Sequence, residues 1–158
     1  AMARDIPLQH AHGLPTIRAT LDIDIGVFVS GWDRFRALKE ALVSTGKFKP
    51  TGQAQRLLYE SEQPLDIVPF GGVADDNGSI SWPPEHALKM SVMGYNECYR
   101  HTETVLVRQE PDLIIKVVSL AGLAILKLVS WDDNMERRGK DAHDLFIIMR
   151  NWQPGSFL

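Results

Sequence analysis

Two aspartates stand two residues apart inside a run that is otherwise apolar, Leu21-Asp22-Ile23-Asp24-Ile25-Gly26-Val27-Phe28-Val29. β-Branched and aromatic side chains dominate the run and fit the pleated surface of a sheet, so Leu21 to Val29 reads as a strand. Successive side chains on a strand face opposite ways. Asp22 and Asp24 therefore share one face, about 7 Å apart along the strand. Ile23 and Ile25 take the other face and are expected in the core. Two parallel carboxylates on one rigid strand repel each other unless a cation sits between them. Oxygen-only ligands at this spacing suit Mg²⁺ or Mn²⁺.

A third acid repeats the pattern. Asp66 lies in Pro64-Leu65-Asp66-Ile67-Val68, again a single carboxylate in an apolar strand. If that strand lies beside the first, Asp22, Asp24 and Asp66 meet on one sheet face. Three acids there can hold two metals, one activating a hydroxyl and the other clamping a triphosphate. Alternation alone also fits a solvated sheet face. Aspartate is disfavoured inside strands, however, and three acids with apolar flanks favour the metal-binding reading.

The remaining chain alternates short strands and helices. Trp32, Phe35, Leu38, Leu42 and Val43 recur at helical spacing, so a helix runs to about Ser44 and Gly46 stops it. Gln55 to Glu60 and Leu65 to Phe70 read as strands joined by a hairpin through residues 61–64. Gly71-Gly72 ends the second, most simply as a turn. Asp75, Asp76, Asn77 and Gly78 form a turn before a short strand at Ile80 to Trp82. Further strands are expected at Lys89 to Val92, Thr104 to Val107 and Leu113 to Val117, with a helix at Tyr95 to Arg100. Ser119 is placed to cap a long apolar helix reaching about Asp133. Gly139 to Trp152 forms the last helix, with Leu145, Ile148 and Met149 inward. The whole reads as one α+β domain over residues 2–158 built around a mixed sheet. Ala1, ahead of Met2, reads as a tag remnant.

Composition narrows the function classes. The 158 residues are 44% hydrophobic and 23% charged, ordinary for a globular chain. A net charge of -3 leaves no global basic footprint, so a polyanionic partner must meet a local patch. A single cysteine, Cys98, excludes an internal disulfide framework and a cysteine zinc cluster. That favours a reducing, cytoplasmic setting. The longest apolar stretch, Val117 to Trp131, holds Lys127 and two serines and falls short of the about 20 apolar residues a bilayer requires.

Charged residues gather again near the end. Lys140 and Asp144 are four apart, hence on one helix face. They form either a surface ion pair worth about 0.5 kcal/mol, or a functional pair in which Lys140 binds a triphosphate and Asp144 orients it or acts as a general base. Lys127, in Leu123-Ala124-Ile125-Leu126-Lys127-Leu128, either reaches solvent along its stem or faces a phosphate site. Arg18 and Thr20 precede the aspartate pair and are candidates for phosphate contacts at the strand entrance. His143 reads as a surface residue, and His10 and His12 lack partners for a metal site. Cys98 has no nucleophile context.

Four ordered segments carry a family resemblance. They are Arg18-Ala19-Thr20-Leu21-Asp22-Ile23-Asp24, Leu65-Asp66-Ile67-Val68-Pro69-Phe70-Gly71-Gly72, Leu123-Ala124-Ile125-Leu126-Lys127-Leu128 and Lys140-Asp141-Ala142-His143-Asp144-Leu145. Together they resemble the nucleotidyltransferase AbiEii/AbiGii toxin family of the DNA polymerase β-like superfamily. The resemblance implies a polymerase β-like fold and Mg²⁺-dependent transfer of a nucleotide from an NTP to a hydroxyl on RNA, such as tRNA, or on a protein. It implies metal ligation by Asp22 and Asp24, and by Asp66, which also helps activate the acceptor. Lys127 and the Lys140/Asp144 pair match later motifs tied to nucleotide binding and catalysis. Toxins of type IV toxin–antitoxin systems belong to the family, so a cognate antitoxin is an implied partner.

The superfamily also carries a Gly-Gly or Gly-Ser motif on a helix before the aspartate pair, where backbone N–H groups hold phosphates. No such glycine precedes Asp22 here, since Gly13 leads into Leu14-Pro15. This polypeptide is therefore expected to have weak or no activity as it stands. The competing reading is a catalytically degenerate binding module. A metal-dependent nuclease is disfavoured, because no acid-x-Lys pattern follows Asp66 or precedes Lys116.

Overall fold

The computed structural model describes residues 6, 23–133 and 139–150. Where the sequence reads as one domain, the described chain falls into two compact units divided after Val92.

The first unit is built on a four-stranded sheet. Its elements are β1 (Ile23–Val29), α1 (Trp32–Ser44), β2 (Phe48–Pro50), β3 (Arg56–Tyr59), β4 (Gln63–Gly71) and a small antiparallel pair, β5 (Ser79–Ser81) with β6 (Lys89–Ser91). The strand order is β1-β4-β3-β2. β1 pairs β4 in parallel, and β3 pairs both β4 and β2 antiparallel, so the sheet is mixed as expected. β2 was not legible beforehand: three residues ending in a proline are too few to show alternation, and proline confines them to an edge.

Local chemistry sets these boundaries. Gly46 takes φ 75° and its N–H donates to the Val43 carbonyl at 3.0 Å, ending α1 with the left-handed residue a helix terminus favours. Glu60 and Ser61 both adopt positive φ in the three-residue connection between β3 and β4, and the Glu62 N–H donates to the Tyr59 carbonyl at 3.1 Å, the primed turn that suits a hairpin's twist. The Asp75 carboxylate accepts from the N–H groups of Asn77 and Ser79 at 3.0 and 2.9 Å, closing the turn before β5.

The side of β4 that carries Leu65 and Ile67 is a core face, and beyond Asp66 the other side is covered as well, with Val68 and Phe70 buried. Leu57 and Leu65 stand in register and are buried, as is Ile67. Ile25, expected there, is exposed instead, because β1 is the last strand of the sheet among the described residues. At the far end of β1 and β4 the chains close tightly. The Gly72 N–H donates to the Val29 carbonyl at 2.8 Å. A Cβ on Gly72 would lie 2.3 Å from the Ser30 carbonyl oxygen, and one on Gly71 would lie 2.6 Å from the Phe28 ring. The glycine pair is thus a close approach of two backbones as well as a turn.

In the second unit, α2 (Tyr95–Arg100) precedes an antiparallel hairpin of β7 (Thr102–Arg108) and β8 (Leu113–Val118), followed by α3 (Leu120–Asp133) and α4 (Gly139–Arg150). Ser119 caps α3 as its position predicts, its hydroxyl accepting from the Gly122 N–H at 3.2 Å. α3 and α4 pack through Leu120, Leu123, Ile147 and Ile148. Leu145 and Ile148 face inward, but Met149 is exposed and Ile147 takes the inward place. Packing on α3 sets the inward stripe of α4, which keeps Leu145 and Ile148 and takes Ile147 in place of Met149. Cys98 is a core residue, its thiol donating to the Gly122 carbonyl at 3.5 Å. Burial, reinforced by Glu97, pushes that thiol's pKa up.

Candidate active site

β1 and β4 run parallel with Asp24 directly opposite Asp66. Residues opposite one another in a ladder point to the same face, and neighbouring strands lie about 5 Å apart. The carboxylates of Asp24 and Asp66 therefore share the sheet face away from Leu57 and Leu65. Two of the three apolar-flanked acids thus share a face, as the sequence leads one to expect. Asp22, Arg18 and Thr20 lie outside the described residues, as do His10 and His12.

The row extends by one strand. Arg56, opening β3, is also in register with Asp66. Its Nε donates to Asp66 Oδ1 and its Nη2 to Oδ2, both at 2.7 Å. This two-pronged, charge-assisted pairing is the strongest geometry available to a guanidinium and a carboxylate. The Arg56 and Asp66 side chains are 28% and 15% exposed, so solvent screens them only in part. Asp24 is exposed at the open end of the row. Arg56 was missed in the sequence, where one basic residue ahead of Leu57-Leu58-Tyr59 carries no signal of its partner.

A second charged cluster stands between α3 and α4. The Lys127 ammonium donates to Asp141 Oδ1 at 2.6 Å and lies 3.1 Å from Asp144 Oδ2. The Ser130 hydroxyl is 3.4 Å from Asp141 Oδ2. Side-chain exposure is 20% for Lys127, 2% for Asp141 and 9% for Asp144. The surface-pair reading of Asp144 is thereby corrected: Asp144 is buried and meets Lys127, because α4 turns its acids toward α3. Lys127 neither ends in open solvent nor stands alone. Lys140 lies in the first turn of α4, with its side chain outside the described set. The sequence reading gives Asp141 no role, although acids at i and i+3 share a helix face and Asp141-Ala142-His143-Asp144 shows that spacing. His143 is exposed, as expected.

Asp24 and Asp66 supply only hard oxygen donors, the type that Mg²⁺ and Mn²⁺ select. Among the described residues no group of three or more His, Cys, Asp or Glu side chains stands close enough to hold a metal ion. Of the three expected ligands, the described Asp24 and Asp66 offer two carboxylates on one face. No helix among the described residues is long and apolar enough to cross a membrane.

The class these features define is an α+β protein with paired acids on a mixed sheet. The family described as "Nucleotidyl transferase AbiEii toxin, Type IV TA system" matches residues 8–157, and the chain belongs to it. A search of curated proteins returns no match.

Proposed function

We propose that this chain transfers a nucleotide from an NTP to a hydroxyl acceptor on RNA, such as tRNA, or on a protein, as the toxin of a type IV toxin–antitoxin pair. The observation that carries the reading is the in-register pairing of Asp24 with Asp66 in a member of a nucleotidyl transferase family. A polymerase β-like arrangement of the sheet is part of the proposal, supported by its parallel β1–β4 pair continued on the β4 side by the antiparallel strands β3 and β2.

Asp22, Asp24 and Asp66 would hold a divalent ion, which when bound stabilises charge on the triphosphate. Asp66, the most enclosed of the described acids on that face, is the candidate for orienting the acceptor hydroxyl and taking its proton. Arg18, Thr20, Lys127 and Lys140 are the proposed phosphate contacts, and Asp144 orients Lys127. The family assignment supports a cognate antitoxin as partner.

The test is Mn²⁺-dependent binding of a labelled NTP to the wild type and to Asp22→Ala and Asp24→Ala. Binding that disappears in both variants supports the reading, and binding unchanged in both refutes it.

A second reading, a degenerate module that binds without transferring, is favoured by one observation. Both oxygens of Asp66 already accept hydrogen bonds from Arg56. Nucleotide transfer to a tRNA pool, followed by label incorporation, separates the two.

A further inference from the structure

We infer that Arg56 is a resident counterion of Asp66 that a divalent cation must displace, so that Arg56 sets the cation concentration at which the site fills. The inference rests on the proposed metal-binding role of Asp24 and Asp66.

Three observations lead to it. Asp24, Asp66 and Arg56 occupy one row across three strands and share one face. The guanidinium engages both carboxylate oxygens of Asp66, at 2.7 Å each. Asp66 is therefore electrically neutralised where it stands, while Asp24 at the row's end is exposed.

A carboxylate has about four lone-pair positions, so Arg56 leaves some open. A cation could in principle add to these with Arg56 in place, as an outer partner that orients the ligand. Charge opposes that arrangement. A doubly charged ion beside the guanidinium, across one carboxylate, meets twice the repulsion of two unit charges at the same distance. Exchange removes the repulsion and lets Asp24 and Asp66 act on the ion together.

The exchange needs only side-chain movement. The Arg56 backbone is pinned on both sides: its N–H donates to the Gln53 carbonyl at 3.1 Å, and its carbonyl accepts from the Thr51 hydroxyl at 3.2 Å. The side chain is 28% exposed, so it has a route toward solvent. Arg56 is a positioning residue in this scheme, acting on the ion through Asp66.

The experiment is a Mn²⁺ titration of the full chain, followed by the electron paramagnetic resonance signal of free Mn²⁺. Arg56→Gln should bind Mn²⁺ about tenfold tighter than wild type, a change of about 1.4 kcal/mol. Arg56→Lys, which keeps the charge but cannot bridge both oxygens, should fall between the two. Asp66→Asn should bind most weakly. Equal or weaker binding by Arg56→Gln overturns the inference and makes Arg56 an outer support of the site. Absence of Mn²⁺ binding in wild type and Arg56→Gln alike overturns the metal-site reading itself, and the inference with it.

A wild-type measurement guards against a misfolded variant. In ¹⁵N spectra the Arg56 Nε–H resonance, assigned by its loss in Arg56→Lys, should shift as Mg²⁺ fills the site. A resonance unmoved at saturating Mg²⁺ overturns the exchange.

Discussion

Lys127 and Asp141 form a short ion pair, 2.6 Å from Nζ to Oδ1, across the α3–α4 contact. The Asp141 side chain is 2% exposed, so water reaches it little and the ammonium stands in its place as a partner. Removing one partner of a buried pair strands the other charge. Lys127→Met should therefore cost about 3–5 kcal/mol in urea unfolding. Lys127→Met combined with Asp141→Leu should cost less than the sum of the two single changes. Additive effects would mean the pair is not coupled.

Asp24 is different, since it is exposed and lies at the outer strand of the sheet. Asp24→Asn should leave stability within about 0.5 kcal/mol of wild type. It should weaken Mn²⁺-dependent NTP binding about tenfold or more, a change of about 1.4 kcal/mol, since it removes a charge from the ion's face. Binding unchanged in a folded Asp24→Asn protein would remove this residue from the site.

Gly72→Ala tests the closure of β1 on β4. The new methyl would lie 2.3 Å from the Ser30 carbonyl oxygen, against backbone that cannot swing aside. A loss of about 1–3 kcal/mol is expected by chemical denaturation, the range for overpacking a tight site.

Ser119→Ala should destabilise the chain by about 1 kcal/mol, because the Gly122 N–H loses its acceptor. Ser119→Asp should recover most of that loss, and a thermal melt of the three proteins would decide it.

Cys98 supplies a pH test. Burial and Glu97 raise its thiol pKa, so the reactive thiolate is scarcer at a given pH in the folded chain than in the unfolded one. Alkylation by iodoacetamide should be slow near neutrality and should climb only at higher pH than for a free thiol. Denaturant should abolish the difference. Because the unfolded thiol ionises first as pH rises, this group's contribution favours folding below its ordinary range and is lost above it.

Legibility followed the range of the interaction. Strand β1, helix α1 and the Ser119 cap were readable because period, turn residues and caps act within a few positions. The shared face of Asp24 and Asp66 was also foreseeable, given that their two strands pair. Arg56 on Asp66 and Lys127 on Asp141 were hidden, since each joins residues on different elements. Ile25 and Met149 misled for a related reason. Their apolar character matches a core, but strand order and helix packing, which no local pattern records, left both exposed.

The parallel ladder of β1 with β4 joins acids about forty residues apart in sequence, and pairings of that span close late and slowly when a chain folds. The emerging polypeptide thus carries its acids as separated, harmless charges. Whatever chemistry the pair performs is withheld until α1, β2 and β3, which separate the two strands in sequence, have been passed and β4 lies beside β1.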